Sequence, residues 1–165
     1  MSNRLKLRAE DEEDLRTISA ILQDALVPVA QMTFLPEERR FVLVANRFRW
    51  EAAPNPDSSP VSGGRDQDLL VGPTFERVLT GICFEDITAV RLKNIDRRRG
   101  SLILELLQVG WNRDGIILMF AGDSAILLET KSIACRLDDI CEPWPTPFRP
   151  HHEIDPEASS TGDSR

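Results

Sequence analysis

The chain has 165 residues, 41% of them hydrophobic, and a formal net charge of −7. That length suits one domain with its own core, and the acidic charge disfavours nucleic acid and anionic lipid as partners. No apolar run approaches the roughly 18 residues that cross a bilayer, and Met1–Glu10 lacks the apolar stretch of a secretory signal. Three cysteines without a CxxC pair fit a reducing compartment, so the cytoplasm is the expected location.

The first predicted element is a helix within residues 9–26, AEDEEDLRTISAILQDAL. Its apolar residues recur at helical spacing. They are Leu15, Ile18, Leu22, Ala25 and Leu26. Asp11 is the predicted N-cap, and the acids after it suit the positive end of the helix dipole. Pro28 is expected to end the helix.

Alternating apolar and polar residues predict strands through the middle of the chain. The segments are VAQMTFL (29–35), RRFVLVANRFRWE (39–51), FERVLTGICFE (75–85), DITAVRLKNI (86–95), SLILELLQVGW (101–111), GIILMF (115–120) and SAILLET (124–130). Pro36 predicts a tight turn before the second of them, and Asp114-Gly115 predicts a hairpin. In the second segment Val42, Val44, Phe48 and Trp50 are predicted to face the core.

Two other segments complete the predicted architecture. Ile133, Leu137 and Ile140 predict a short C-terminal helix in KSIACRLDDI. Proline clusters predict a mobile loop at residues 52–73 and a disordered tail at 145–165. One β-rich domain over residues 1–144 is therefore expected.

The predicted fold class is α+β. Strands around residues 102–109, 116–120 and 126–128 are apolar on both faces and must be covered on both sides. We therefore expect an antiparallel curled sheet or partly open barrel, with the N-terminal helix packed on it and a short C-terminal helix. A two-layer sheet with both helices on one face is the alternative.

The sequence disfavours most catalytic sites. Its only histidines, His151 and His152, lie in the predicted tail, which leaves the core without imidazole for nucleophilic catalysis or a zinc site. No glycine-rich phosphate-binding motif is present. We predict no catalytic residue, metal or cofactor. An enzyme using a carboxylate pair would draw on Glu51, Glu85, Asp86 or Asp114.

Two cationic clusters are the candidate binding residues. The first contains Arg39, Arg40, Arg47 and Arg49, and the second contains Arg91, Lys93, Arg97, Arg98 and Arg99. Guanidinium groups suit the capture of phosphate or carboxylate. The simpler hypothesis is that these cations pair with acids across the strands or are solvated.

These features favour a non-enzymatic module that holds a protein partner. The alternative is a domain that binds an anion, such as a nucleotide, a phosphorylated ligand or RNA, through the two arginine clusters. The second hypothesis requires both clusters to meet on one surface.

Three segments resemble an uncharacterised alphaproteobacterial family catalogued as domain of unknown function 2948. They are LPEERRFVLVANRFRWE, FEDITAVRLKNID and LMFAGDSAILLETKSIACRLDDI. The most specific pieces are Glu38–Phe41, Asn46–Phe48 and Phe120–Gly122. The resemblance covers about Leu5 to Trp144, with the 52–73 loop as a variable insert. It implies a small cytoplasmic bacterial protein and carries no assigned activity. Where the family tends to have a glycine pair, Asp123 follows Gly122, so a different turn geometry is expected.

A weaker likeness points to an alternative fold. FEDITAVRL, with three strands and a helix expected after it, is similar to bacterial pleckstrin-homology-like barrels. Those barrels close one end with a long C-terminal helix, whereas here the long predicted helix comes first.

Overall fold

The computed structural model describes residues 4–53 and 75–150. Of the predicted loop at 52–73, residues 54–73 are outside the described residues. The described elements follow in chain order. They are β1 Lys6–Ala9, α1 Glu12–Ile21, β2 Ala25–Pro28, a 3₁₀ turn Val29–Gln31, β3 Met32–Leu35, β4 Arg40–Phe48, a second 3₁₀ turn Trp50–Ala52, β5 Phe75–Phe84, β6 Ala89–Lys93, β7 Ile103–Asn112, β8 Gly115–Phe120, β9 Ser124–Glu129, β10 Cys135–Asp139 and β11 Trp144–Thr146.

The strands form one antiparallel sheet in the order β1-β10-β5-β4-β2-β7-β8-β9-β6, while β3 pairs with β4 and β11 pairs with β5. The sheet is open, because β1 and β6 at its two ends each pair with a single strand. Helix α1 packs against both β7 and β1, so the sheet curls around the core. The predicted β-rich α+β architecture is confirmed. No helix in the described ranges is long and apolar enough to span a membrane.

Helix α1 begins as predicted and ends early. The side chain of Asp11 accepts a 2.8 Å hydrogen bond from the Asp14 amide, which is the predicted N-cap. The helix ends at Ile21 because Asp24 adopts a φ of 63° and donates its amide to the carbonyl of Leu106. The chain thereby enters β2, whose residues pair with β7. The prediction that the helix runs on to Pro28 is wrong.

The prediction of a short C-terminal helix is also wrong. Cys135–Asp139 forms strand β10, with β1 on one side and β5 on the other. Its inward residues Cys135, Leu137 and Asp139 are buried, and their alternation is that of a strand. The C-terminal helix of a pleckstrin-homology-like barrel therefore has no counterpart among residues 75–150.

Strand β4 turns its other face to the core. Phe41, Leu43 and Ala45 are buried in the core, whereas Val42 and Val44 are half-buried on the outer face. Both faces of this strand are apolar, and the prediction is wrong for Val42 and Val44. Phe48 is fully buried as predicted, and Trp50, in the 3₁₀ turn after the strand, is half-buried. The Phe48 ring lies 4.6 Å from the Trp50 ring and 5.6 Å from the Phe75 ring, measured between centroids.

The chain remains in the sheet past the predicted start of the tail. Strand β11 spans residues 144–146 and pairs with Phe75–Arg77. The half-buried Trp144 is part of that strand, and the Arg149 guanidinium lies 5.6 Å from the Trp50 ring centroid. The remainder of the predicted tail, residues 151–165, is outside the described residues.

Candidate functional site

Arg47 lies inside the protein, fully buried between two carboxylates. It faces the core from β4, and its guanidinium reaches across β5 to Asp139 on β10. Nε lies 3.1 Å from Asp139 Oδ1 and 3.1 Å from Thr80 Oγ1, and Nη2 lies 2.9 Å from Asp139 Oδ2. Nη1 and Nη2 donate to Glu51 at 3.0 and 2.8 Å. We call Arg47, Glu51, Thr80 and Asp139 the Arg47 cluster.

The Arg47 cluster keeps both of its carboxylates ionised. Burial raises the pKa of Asp139, but hydrogen bonds from Arg47, from the Thr80 hydroxyl and from the Leu5 amide outweigh it and leave the pKa below its ordinary value. Burial likewise raises the pKa of Glu51, and the hydrogen bonds from Arg47 outweigh it. Because these two acids bind every nitrogen of the guanidinium and Arg47 is fully buried, Arg47 is not accessible to an external anion.

The other cations of the first cluster lie at two different ends of β4. Arg49 bonds Glu76, and its Nε lies 3.6 Å from Glu51. At the opposite end, Arg40 lies 3.7 Å from both Glu38 and Glu85. Seven strand steps separate residues 40 and 47, which is about 23 Å. The first cluster therefore does not form one patch, and Glu51 and Glu85 do not form a catalytic pair.

Arg39 is the one arginine of the first cluster that forms no ion pair with a described residue. It is exposed in the turn before β4, with a φ of 55°. Its carbonyl accepts a hydrogen bond from the Ile87 amide at 2.9 Å, so the turn touches the segment that leads into β6. Through this hydrogen bond, Arg39 links the first arginine cluster to the segment before β6, the strand that begins the second cluster.

Three cations of the second cluster pair with neighbouring acids. Arg91 lies 2.6 Å from Glu129, Lys93 lies 3.1 Å from Asp123, and Arg98 lies 3.6 Å from Asp96. The cation of each pair is solvent-exposed, and such pairs stabilise the fold little. Arg97 and Arg99 are exposed and make no ion pair with any described residue.

A cavity of about 370 Å³ lies between β3 and β6, and we call it the β3/β6 cleft. Strand β3 pairs only with β4, and β6 pairs only with β9, so each has one free edge. The apolar lining residues are Val29, Met32, Phe34, Phe41, Ala89, Val90, Leu92, Ile95 and Ile126. Thr88 and Arg97 are the polar ones. The cleft is thus an apolar slot with one cation.

A second surface feature is the outer face of β4, β5 and β10, which we call the apolar outer face. Its residues are Val42, Val44, Leu79, Gly81, Cys83 and Ile140. Leu79 is 37% exposed and Ile140 is 49% exposed. Burial raises the pKa of the Cys83 thiol, which keeps it neutral. Arg136 and Asp138 border this face on β10.

Sequence reasoning missed the partners of Arg47 and both apolar surfaces. The sequence did contain one indication that Arg47 has acid partners. Arg47 shares a strand face with Phe41 and Leu43, and an arginine on a buried face needs an acid partner. No local pattern could identify Asp139 as that partner, because it lies 92 residues away.

Within residues 4–53 and 75–150 no three histidine, cysteine or acidic side chains are grouped so that they could hold a metal ion. No curated protein and no solved structure matches the chain. The family model described as "Protein of unknown function (DUF2948)" matches residues 5–152, in agreement with the resemblance carried by its motifs, and the chain belongs to this family.

Proposed function

We propose that this protein is a non-enzymatic interaction module that docks a partner protein on the apolar outer face. An antiparallel sheet that packs one face on the core normally presents polar residues on the other. Here the centre of the outward face of β4 and β5 carries Val42, Val44, Leu79 and Cys83. Exposed apolar patches on soluble proteins often mark interaction sites, and this patch is the observation that supports the proposal.

The residues around the patch suggest the chemistry of the partner. Gly81 has no side chain, and Ile140 packs over it. A Cβ at Gly81 would stand 3.5 Å from Ile140 Cγ2. Arg136 and Asp138 border the face, and both already pair within the protein, Arg136 with Glu85 and Asp138 with Lys6. The partner surface is therefore apolar at its centre with a polar rim.

The test compares two matched variants in a pull-down from native lysate. Ile140→Glu places a charge on the apolar outer face, and Ile103→Glu places the same charge at an isoleucine that is 56% exposed on β7. We expect a stoichiometric partner to be retained by the wild type and Ile103→Glu and lost by Ile140→Glu. A partner that Ile140→Glu retains equally contradicts the proposal. Sedimentation of the purified wild type shows whether a second copy of the chain occupies the face instead.

The two arginine clusters do not form one anion site, because the first is divided between the two ends of β4. Anion binding at a single arginine is a second candidate function, and it is supported by Arg97. This guanidinium lines the β3/β6 cleft, and no acid is among the lining residues. An anion held there should bind more weakly as salt is added. The test is a titration with acetate and inorganic phosphate at two salt concentrations, followed by NMR of the arginine side chains. Shifts that Arg97→Gln does not abolish contradict this candidate. The bacterial cytoplasm stays the predicted location.

A further inference from the structure

We infer that the β3/β6 cleft binds an amphipathic carboxylate, an unbranched hydrocarbon chain of medium length whose carboxylate pairs with Arg97. This inference rests on the anion-binding candidate and adds the class of ligand. It is independent of protein docking on the apolar outer face, whose residues are not among those that line the cleft.

The size and lining of the cleft favour a hydrocarbon chain. Its volume of about 370 Å³ lies within the range of small-molecule sites, which are mostly apolar with a few placed polar groups. Of its lining residues, Phe41 and Ile126 are buried in the core, whereas Met32 and Phe34 of β3 and Val90 of β6 are half-buried. A lining that is mostly apolar and comes mainly from two strands suits a hydrocarbon chain.

The small number of polar side chains in the cleft disfavours a nucleotide as the ligand. Thr88 and Arg97 are the polar side chains of its lining. A base, a ribose and phosphates would bring many donors and acceptors into an apolar site, and most of them would lose their hydrogen bonds to water without replacement. One carboxylate on a hydrocarbon chain needs only the donors that a single guanidinium supplies.

The charges around the cleft leave Arg97 available for a ligand. The neighbouring acids are each held by another cation: Asp96 by Arg98, Asp123 by Lys93 and Glu129 by Arg91. Arg97 lies beside the apolar walls without a carboxylate from the described chain. A ligand carboxylate can form the bidentate pair that guanidinium groups prefer, with its chain in the slot.

The experiment is calorimetric titration of the full-length protein with decanoate, decanol, acetate and inorganic phosphate. We expect decanoate to bind at one site, at least about tenfold more tightly than decanol, which is the effect of one charge-assisted hydrogen bond. Arg97→Gln should abolish that difference and leave decanol binding unchanged. The matched control is Arg99→Gln, which alters a nearby exposed arginine that makes no ion pair with any described residue and does not line the cleft, and it should behave as the wild type.

A second pair of variants locates the hydrocarbon chain. Leu92 lines the cleft and is 38% exposed, and Leu79 is 37% exposed on the apolar outer face. Leu92→Trp should fill the slot and weaken decanoate at least about tenfold, whereas Leu79→Trp should not. Thermal melts of all variants check that each is folded.

The outcomes separate the two claims. Binding of acetate or phosphate that depends on Arg97, without tighter binding of decanoate, overturns the amphipathic ligand and leaves the anion-binding candidate standing. Equal affinity for decanoate and decanol, or decanoate binding that Arg97→Gln does not weaken, overturns the pairing with Arg97. Absence of binding by all four probes overturns both.

Discussion

Arg47 is the residue whose substitution should most affect stability through charge. Arg47→Leu leaves Asp139, whose side chain is 2% exposed, without its cation. Breaking a buried pair by removing one partner destabilises a protein by about 3–5 kcal/mol, because a charge remains buried without compensation. We expect a loss of that size in the free energy of unfolding measured with urea.

The control for this prediction is Arg91→Leu. Arg91 pairs with Glu129 at 2.6 Å, but its side chain is mostly in solvent, and exposed pairs contribute about 1 kcal/mol or less. Arg47→Leu should be the more destabilising of the two by at least about 2 kcal/mol. Equal effects would show that the Arg47 cluster does not stabilise the fold beyond a surface pair.

The same cluster predicts how stability depends on pH. The folded pKa values of Asp139 and Glu51 lie below their ordinary values of 3.8 and 4.5, so folding favours the ionised forms. The stabilisation is complete above the ordinary values and is lost as pH falls through the lower folded values. Urea unfolding of the wild type from roughly pH 6 to pH 3 should show this loss. Arg47→Leu should show a smaller fall, and an unchanged slope would contradict the assignment.

At the scale of elements, the hairpin between β7 and β8 depends on one glycine. Gly115 has a φ of 147°, and a Cβ there would stand 2.0 Å from the Leu128 carbonyl oxygen of β9. Gly115→Ala should therefore force β9 away from the hairpin and lower the free energy of unfolding by about 3 kcal/mol or more. The measurement is urea unfolding, with amide exchange to show that the loss of protection is centred on β8 and β9.

Gly122→Ala is the matched control for that hairpin. Gly122 also has a positive φ, 80°, but a Cβ there would meet nothing within 4 Å. Only backbone strain remains, and it costs about 1–2 kcal/mol. If the two substitutions are equally destabilising, the close approach to Leu128 is not what requires Gly115.

The element scale also shows how far sequence patterns reach. The N-cap at Asp11 and the turn at Asp114-Gly115 depend on local chemistry, and both were predicted. The strand β10 was not, because Ile133, Leu137 and Ile140 have helical spacing, while the alternation that matters ends in Asp139. From sequence alone, Asp139 is expected to be exposed, because its partner Arg47 on β4 cannot be identified.

The candidate site was beyond prediction for a related reason. The β3/β6 cleft combines residues from the first 3₁₀ turn, β3, β4, β6 with its flanking segments, and β9, which are far apart in the sequence. The sequence identified Arg97 and Arg98 as candidate binding residues alike. Only the structure shows that Arg98 pairs with Asp96 and that Arg97 does not. Such choices are made by tertiary packing and not by residue type or spacing.

At the scale of the whole molecule, the first strand joins the two ends of the described chain. Strand β1 pairs with β10 over four residues, and Arg4 lies 3.1 Å from Glu142. The Leu5 amide donates to Asp139 of the Arg47 cluster at 2.9 Å. Helix α1 packs on β1 as well as on β7. The segment before α1 is therefore part of the fold, although no strand was predicted there.

Replacing residues 1–9 by a single initiator methionine should therefore destabilise the whole domain. The deletion removes the buried Ala9, the ladder with β10 and one donor to Asp139, a combined loss of about 3 kcal/mol or more. It also exposes the edge of β10, which favours aggregation. The control deletion removes residues 151–165, which their polar composition predicts to be a tail, and should change stability by less than about 0.5 kcal/mol. Urea unfolding and light scattering measure both effects, and equal stability of the two truncated proteins would contradict the structural role of β1.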